Sequence, residues 1–170
     1  MGISKAVVDY LTRDPPPDEP ITFRGVEWNV NGTMKSCIFC EYAAKTKEKE
    51  LLFEDDLVVA FRPEKRAAKQ HLLILPKRHV STIGDLISGD TVVLDRMKTV
   101  AQELLKCEDA SNFQLCFHVP PWNSVDHLHV HAIEKPFISR WQSIRFSKGK
   151  PWCASFAKVR MWAAGAGVEE

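Results

Sequence analysis

From Asp126 to Ile133 the chain alternates strictly, with His127, His129 and His131 on one parity and Leu128, Val130 and Ala132 on the other. A period of two is the strand period, so the spacing predicts a strand that turns three imidazoles to one face and an aliphatic row to a core. His71 to Leu75, closed by Pro76, is a compact apolar run of strand length. Leu51–Glu54 and Leu57–Arg62 read as paired strands around Asp55-Asp56, and Asn112–His118 as one more. Helical spacing governs Val93, Met97, Val100, Ala101, Leu104 and Leu105, a long helix with Asp90 as its N-cap, and a shorter helix is expected from Ile38 to Lys45. Together these predict an α+β domain over residues 36–152, with about five mostly antiparallel strands, one long helix and one short helix.

The two ends read differently. Residues 1–35 form an N-terminal extension, partly flexible, in which Ala6–Leu11 makes a helical turn or two before the Asp14-Pro15-Pro16-Pro17 break. Ile21–Val30 alternates as a strand and Asn31-Gly32 is a turn signal; the pattern leaves open whether this strand docks on the domain. Residues 153–170 read as a C-terminal tail, with Trp152 and Trp162 as packing residues.

Composition narrows the function class. A chain of 170 residues with 45% hydrophobic and 26% charged positions is one ordinary globular domain. Its net charge of +1 makes no electrostatic case for nucleic acid or an anionic membrane. No run approaches the ~20 apolar residues of a membrane span, and the N-terminus lacks the apolar core of a signal peptide. Five cysteines, an odd number with one close pair, point to a reducing compartment, cytosol or nucleus.

The chemistry concentrates in two places. Alternate side chains of a strand sit about 6–7 Å apart, so three imidazoles line one small site. Neutral imidazole is a competent nucleophile and hydrogen-bond donor near pH 7. Cys37-Ile38-Phe39-Cys40 has the spacing of half a zinc site, and equally of a redox pair or two buried thiols.

The run His127-Leu128-His129-Val130-His131-Ala132-Ile133 resembles the His-x-His-x-His plus aliphatic signature of the histidine-triad (HIT) superfamily of nucleotide hydrolases and transferases. The longer stretch Phe117–His131 is similar to a eukaryotic branch that includes the third vertebrate type of histidine-triad nucleotide-binding protein and a plant type acting on adenosine 5′-phosphosulfate. The resemblance spans Ser36 to Trp152. It implies the HIT-like fold and attack by His129 on the α-phosphorus of a purine nucleotide, giving a nucleotidyl-histidine and then AMP. In the family a carbonyl of the same strand fixes the nucleophile's tautomer. His131 and His71 are then donors to the phosphate, and Ser124, with Asn123, serves the phosphate and leaving group. Phosphoramidates or adenosine 5′-phosphosulfate are the implied substrates. A non-catalytic nucleotide-binding adaptor, or removal of adenylate from nucleic-acid ends, are the alternatives.

Two positions depart from the family pattern. Pro63 stands where an aspartate often grips the ribose, which passes that role to Glu64, and Cys116 replaces a frequent asparagine. His118 is either an extra polar contact or packing. The resemblance implies no cofactor for catalysis but one structural zinc on Cys37, Cys40, His79 and His127. It also implies a small nucleotide as partner and a homodimer through a continuous sheet. The run Ile138–Phe146 is expected to close over the site, with Arg140 clamping a phosphate and Trp141 stacking on a base.

Overall fold

The computed structural model describes residues 19–165, so the expected helix at Ala6–Leu11 lies outside the described residues. Six strands make the main sheet: β4 (Leu51–Glu54), β5 (Val58–Phe61), β6 (Ala68–Pro76), β7 (Phe113–His118), β8 (Val130–Phe137) and β9 (Cys153–Ser155). Their order is β4-β5-β6-β8-β7-β9, every neighbour antiparallel. A second, three-stranded antiparallel sheet joins β1 (Ile21–Phe23), β2 (Val26–Trp28) and β3 (Met34–Cys37). The helices are α1 (Ile38–Ala43), α2 (Thr91–Leu105), α3 (Arg140–Arg145) and α4 (Phe156–Ala163). None is long and apolar enough to cross a membrane.

The α+β class is as the pattern predicts, but among the described residues nine strands stand where about five were expected. Four of them are only three or four residues long at the chain's two ends, too short for periodicity to register. The segment Ile21–Val30 is not one strand but a hairpin folded at Arg24-Gly25. It is docked: Val26 and Trp28 are buried with Cys37, Phe39, Phe61 and Leu75. Cys153–Ser155 pairs with β7, and Phe156, Val159 and Ala163 of α4 enter the core, so this end of the chain is built into the domain.

The pleat of the central strands decides where the site lies. Leu72 and Ile74 of β6, with Val130 and Ala132 of β8, pack under Leu94, Met97, Val100, Ala101 and Leu105 of α2. Burial of each valine, leucine, isoleucine or methionine among them is worth about 1.5–3 kcal/mol. The opposite parity, His71, Leu73 and Leu75 on β6 and His131 on β8, faces the other way, with Leu73 directly across from His131. Asp90 precedes α2 as expected but makes no cap bond to it; its carboxylate accepts instead from the Ile87 amide and Arg78. The outer edge of β7 is taken by β9, so a sheet continued into a second copy has β4 or β9 as its available edge.

Candidate active site

The ladder of β8 begins at Val130, not Asp126. His127-Leu128-His129 runs ahead of it without ladder pairing, and the Leu128 amide bonds to the Val80 carbonyl at 2.6 Å. That departure frees the His127 carbonyl, which accepts from Nδ1 of His129 at 2.7 Å. His129 therefore carries its proton on Nδ1 and keeps the Nε2 lone pair free. Its ring lies edge-on to Phe39, with centroids 5.3 Å apart, and 5.1 Å from the ring of His131.

A second chain of bonds fixes the other two imidazoles. The Ala67 amide can only donate, and it meets Nδ1 of His71 at 3.2 Å. Neutral His71 is then protonated on Nε2, which donates to Nδ1 of His131 at 2.9 Å. This leaves the His131 proton on Nε2, a buried donor with no partner among the described residues. Burial holds His71 and His129 down to about 4. Burial also pushes His131 well below the ordinary histidine value, and the imidazoles and Arg145 around it add to this. All three rings are neutral at pH 7: one nucleophile beside a relay ending in a free N–H.

These groups line one cavity of about 400 Å³. Ile38, Phe39, Tyr42 and Phe61 form an apolar wall, and Lys49 sits over the Tyr42 and Phe61 rings at 5.5 and 5.3 Å. Ser124 and Glu64, both exposed, line the same cavity, beside Pro63 and Lys65. Of the residues singled out from sequence, His71, His129, His131, Ser124 and Glu64 are thus brought together. Asn123 is not among the lining residues. Its amide group donates to Asp126 at 2.6 Å and to the Val125 carbonyl at 3.2 Å, and its oxygen accepts from Arg24, beneath the loop that carries Ser124. Cys116 is buried opposite His131 on β7. His118 is buried with its ring 4.6 Å from that of His131.

The run Ile138–Phe146 does reach the cavity, but through Gln142, Arg145 and Phe146, which were not singled out within it. They fall at i, i+3 and i+4 on and just past α3, a helical spacing in a run read only for Arg140 and Trp141. Arg140 lines neither cavity described here. Trp141 is 79% exposed and turns to a second cavity of about 430 Å³ with His118, Trp122, Ile144 and Trp152; Arg145 lines both.

His127, expected to share one site with His129 and His131, faces away from the cavity instead, and with Cys37, Cys40 and His79 it presents ligand atoms that all lie within 4.8 Å of one another. The sulfur-to-nitrogen spacings are 3.5 Å for Cys37–His127, and 3.4 Å for both Cys40–His127 and Cys40–His79. Tetrahedral Zn²⁺ with bonds of about 2.3 Å to sulfur and 2.0–2.1 Å to nitrogen needs S···N near ~3.5 Å. Nε2 of His127 donates to the Pro76 carbonyl at 2.9 Å, which turns the Nδ1 lone pair to the centre. Hydrogen bonding from Cys40 lowers the Cys37 thiol, and Cys40 is raised by the same pairing. The donor set, its spacing and a ready thiolate fit a closed, structural metal site.

Residues 36–146 match the family described as scavenger mRNA decapping enzyme C-term binding. The chain is 40% identical over 124 residues to the bifunctional adenosine 5′-phosphosulfate phosphorylase/adenylylsulfatase HINT4 of Arabidopsis thaliana, covering 71% of this chain and 84% of that protein. It is 31% identical over 128 residues to the adenosine 5′-monophosphoramidase HINT3 of Mus musculus, covering 72% and 76%. A solved HIT family hydrolase from Legionella pneumophila superposes with a TM-score of 0.56 at 30% identity, covering 62% of this chain and 97% of that one. With three imidazoles gathered over one cavity and a family match across more than half its length, this chain belongs to the histidine-triad superfamily, in the branch of the HINT3- and HINT4-type proteins.

Proposed function

We propose that this protein is a nucleotidyl hydrolase acting at the α-phosphate of purine nucleotides of the phosphoramidate or 5′-phosphosulfate type, releasing AMP. The observation that carries the reading is His129: its Nδ1–H is held by its own chain's His127 carbonyl, so Nε2 is an unprotonated nucleophile in a cavity of nucleotide size. The names of the two curated relatives, one a monophosphoramidase and one an adenylylsulfatase, support the substrate class.

In the first step the His129 Nε2 lone pair forms a bond to phosphorus. The bond from phosphorus to the leaving atom breaks and its electron pair goes to that atom, which leaves as sulfate or, once solvent has protonated the phosphoramidate nitrogen, as the neutral amine, with Ser124 placed to donate a hydrogen bond to it. The unpaired Nε2–H of His131, backed by His71, donates to a non-bridging oxygen as charge redistributes. In the second step water attacks phosphorus and gives up a proton to bulk solvent, the N–P bond breaks with its electron pair returning to Nε2 of His129, and AMP leaves. Glu64 takes the ribose hydroxyls in place of the aspartate that Pro63 displaces. Zinc, held by Cys37, Cys40, His79 and His127, would supply a structural crosslink between α1, the β6 exit and the triad strand; it takes no part in the reaction.

Purified protein is incubated with adenosine 5′-phosphoramidate and adenosine 5′-phosphosulfate, and AMP is followed against a His129→Ala control. A base-quenched sample is weighed by mass spectrometry for an adduct on His129. AMP release confined to the protein with His129 intact is expected. Nucleotide binding without turnover on either substrate returns the chain to the adaptor reading.

A further inference from the structure

The β1–β2 hairpin turns on two residues with positive φ, Arg24 at +45° and Gly25 at +67°. Turns with positive φ at both central positions favour asparagine, aspartate or glycine, because a larger side chain crowds the backbone there. Glycine is required at the second position: a Cβ on Gly25 would lie 2.8 Å from Cγ2 of Ile38 and 3.1 Å from Val125. Arginine at the first position lies outside that preference, as do Lys45 and Lys106 elsewhere in the fold, and what sets Arg24 apart is where its side chain goes.

That side chain reaches 97 positions along the chain. Nη2 of Arg24 donates to the Pro121 carbonyl at 2.8 Å. Nη1 donates to Oδ1 of Asn123 at 3.3 Å and lies 3.6 Å from the buried Asp126 carboxylate. The Arg24 carbonyl accepts from the Asp126 amide at 2.9 Å. One residue thus holds both ends of the loop from Pro121 to Asp126, whose Ser124 lines the nucleotide cavity. The same turn accepts from the Ile38 amide through the Gly25 carbonyl, at the start of the helix that walls the cavity.

We propose that Arg24 is a positioning residue of the active site: by clamping the Pro121–Asp126 loop it sets Ser124 against the leaving group, and the N-terminal hairpin is a working part of the catalytic unit. This rests on the nucleotidyl-transfer reading above.

Arg24→Asn tests it, since asparagine suits the turn while removing the guanidinium. A poor leaving group such as an amine needs the Ser124 hydrogen bond; sulfate, a weak base, needs it little. The expected loss in kcat is about tenfold to a hundredfold on adenosine 5′-phosphoramidate, as for a misplaced catalytic contact, and under about threefold on the phosphosulfate. Ser124→Ala shows the same asymmetry, and the double variant is no slower than Ser124→Ala alone. Added guanidinium ion restores rate to Arg24→Ala and not to Ser124→Ala. An unchanged ratio between the two substrates, or losses that multiply in the double variant, overturns the proposal. If the unaltered protein turns over neither substrate, the nucleotidyl reading fails by itself. Amide hydrogen exchange then decides the clamp: exchange at Ser124 and Val125 rises in Arg24→Asn if Arg24 holds the loop, and stays the same if it does not.

Discussion

Nε2 of His71 donates to Nδ1 of His131 at 2.9 Å, and this bond decides which nitrogen of His131 carries the proton. The Ala67 amide sets the direction of the relay from outside, because a backbone N–H has no acceptor role to offer. His131→Ala should lower kcat by about 10²–10³, the usual cost of one lost donor to developing charge. His71→Ala keeps the donor but frees its tautomer, so the loss should be smaller, on the order of tenfold. Equal losses in the two variants would show that His71 touches the phosphate directly rather than acting through His131.

The buried neutral rings make stability fall in acid. His71 and His118 are held at about 4 when folded, chiefly by burial, against 6.5 when exposed. Below 6.5 the unfolded chain binds protons that the folded chain refuses, so the stability they contribute is complete above that pH and is lost progressively toward 4. Each ring accounts for up to about 3 kcal/mol. Urea midpoints measured from pH 7.5 to 4.5 should drop through this window, and His118→Phe should flatten the drop. A midpoint constant over the range contradicts the burial of neutral imidazoles.

Metal analysis should find about one zinc per chain, the stoichiometry of a four-ligand closed site. Cys40→Ala removes the ligand that faces both histidines and should lose the metal and lower the melting temperature together. Activity should fall as well, since His127 offers its ring to the metal centre and its carbonyl to the His129 proton. A zinc-free preparation, expressed in zinc-supplemented medium and as stable as the loaded one, excludes the site.

Glu64 lines the cavity but is exposed, so its hydrogen bonds to the ribose compete with water. Glu64→Ala should weaken AMP binding about two- to tenfold, the worth of one ordinary hydrogen bond. The rate at a bound phosphorus should change little, since the ribose contact is the same in ground and transition states. Unaltered affinity by calorimetry would mean that another group holds the ribose.

Much of this protein is written locally. Alternation alone placed His127, His129 and His131 against the aliphatic row Leu128, Val130 and Ala132, and helical spacing alone gave the buried stripe of α2, because periodicity reports which residues share a face. The family signature brought His71, Ser124 and the four candidate metal ligands into one account. What periodicity cannot report is a contact between elements far apart in the chain. The hairpin at Arg24-Gly25 and the strand Cys153–Ser155 are of that kind. Each depends on segments too short to carry a period, made stable only by what they pack against. The protonation pattern belongs to the same class. Sequence makes His129 a candidate nucleophile, but the nitrogen left free follows from where His127 leaves the ladder. Likewise the free donor of His131 follows from where the Ala67 amide comes to rest. Both are set by tertiary geometry, because a tautomer is chosen by the partner that the fold brings to the ring.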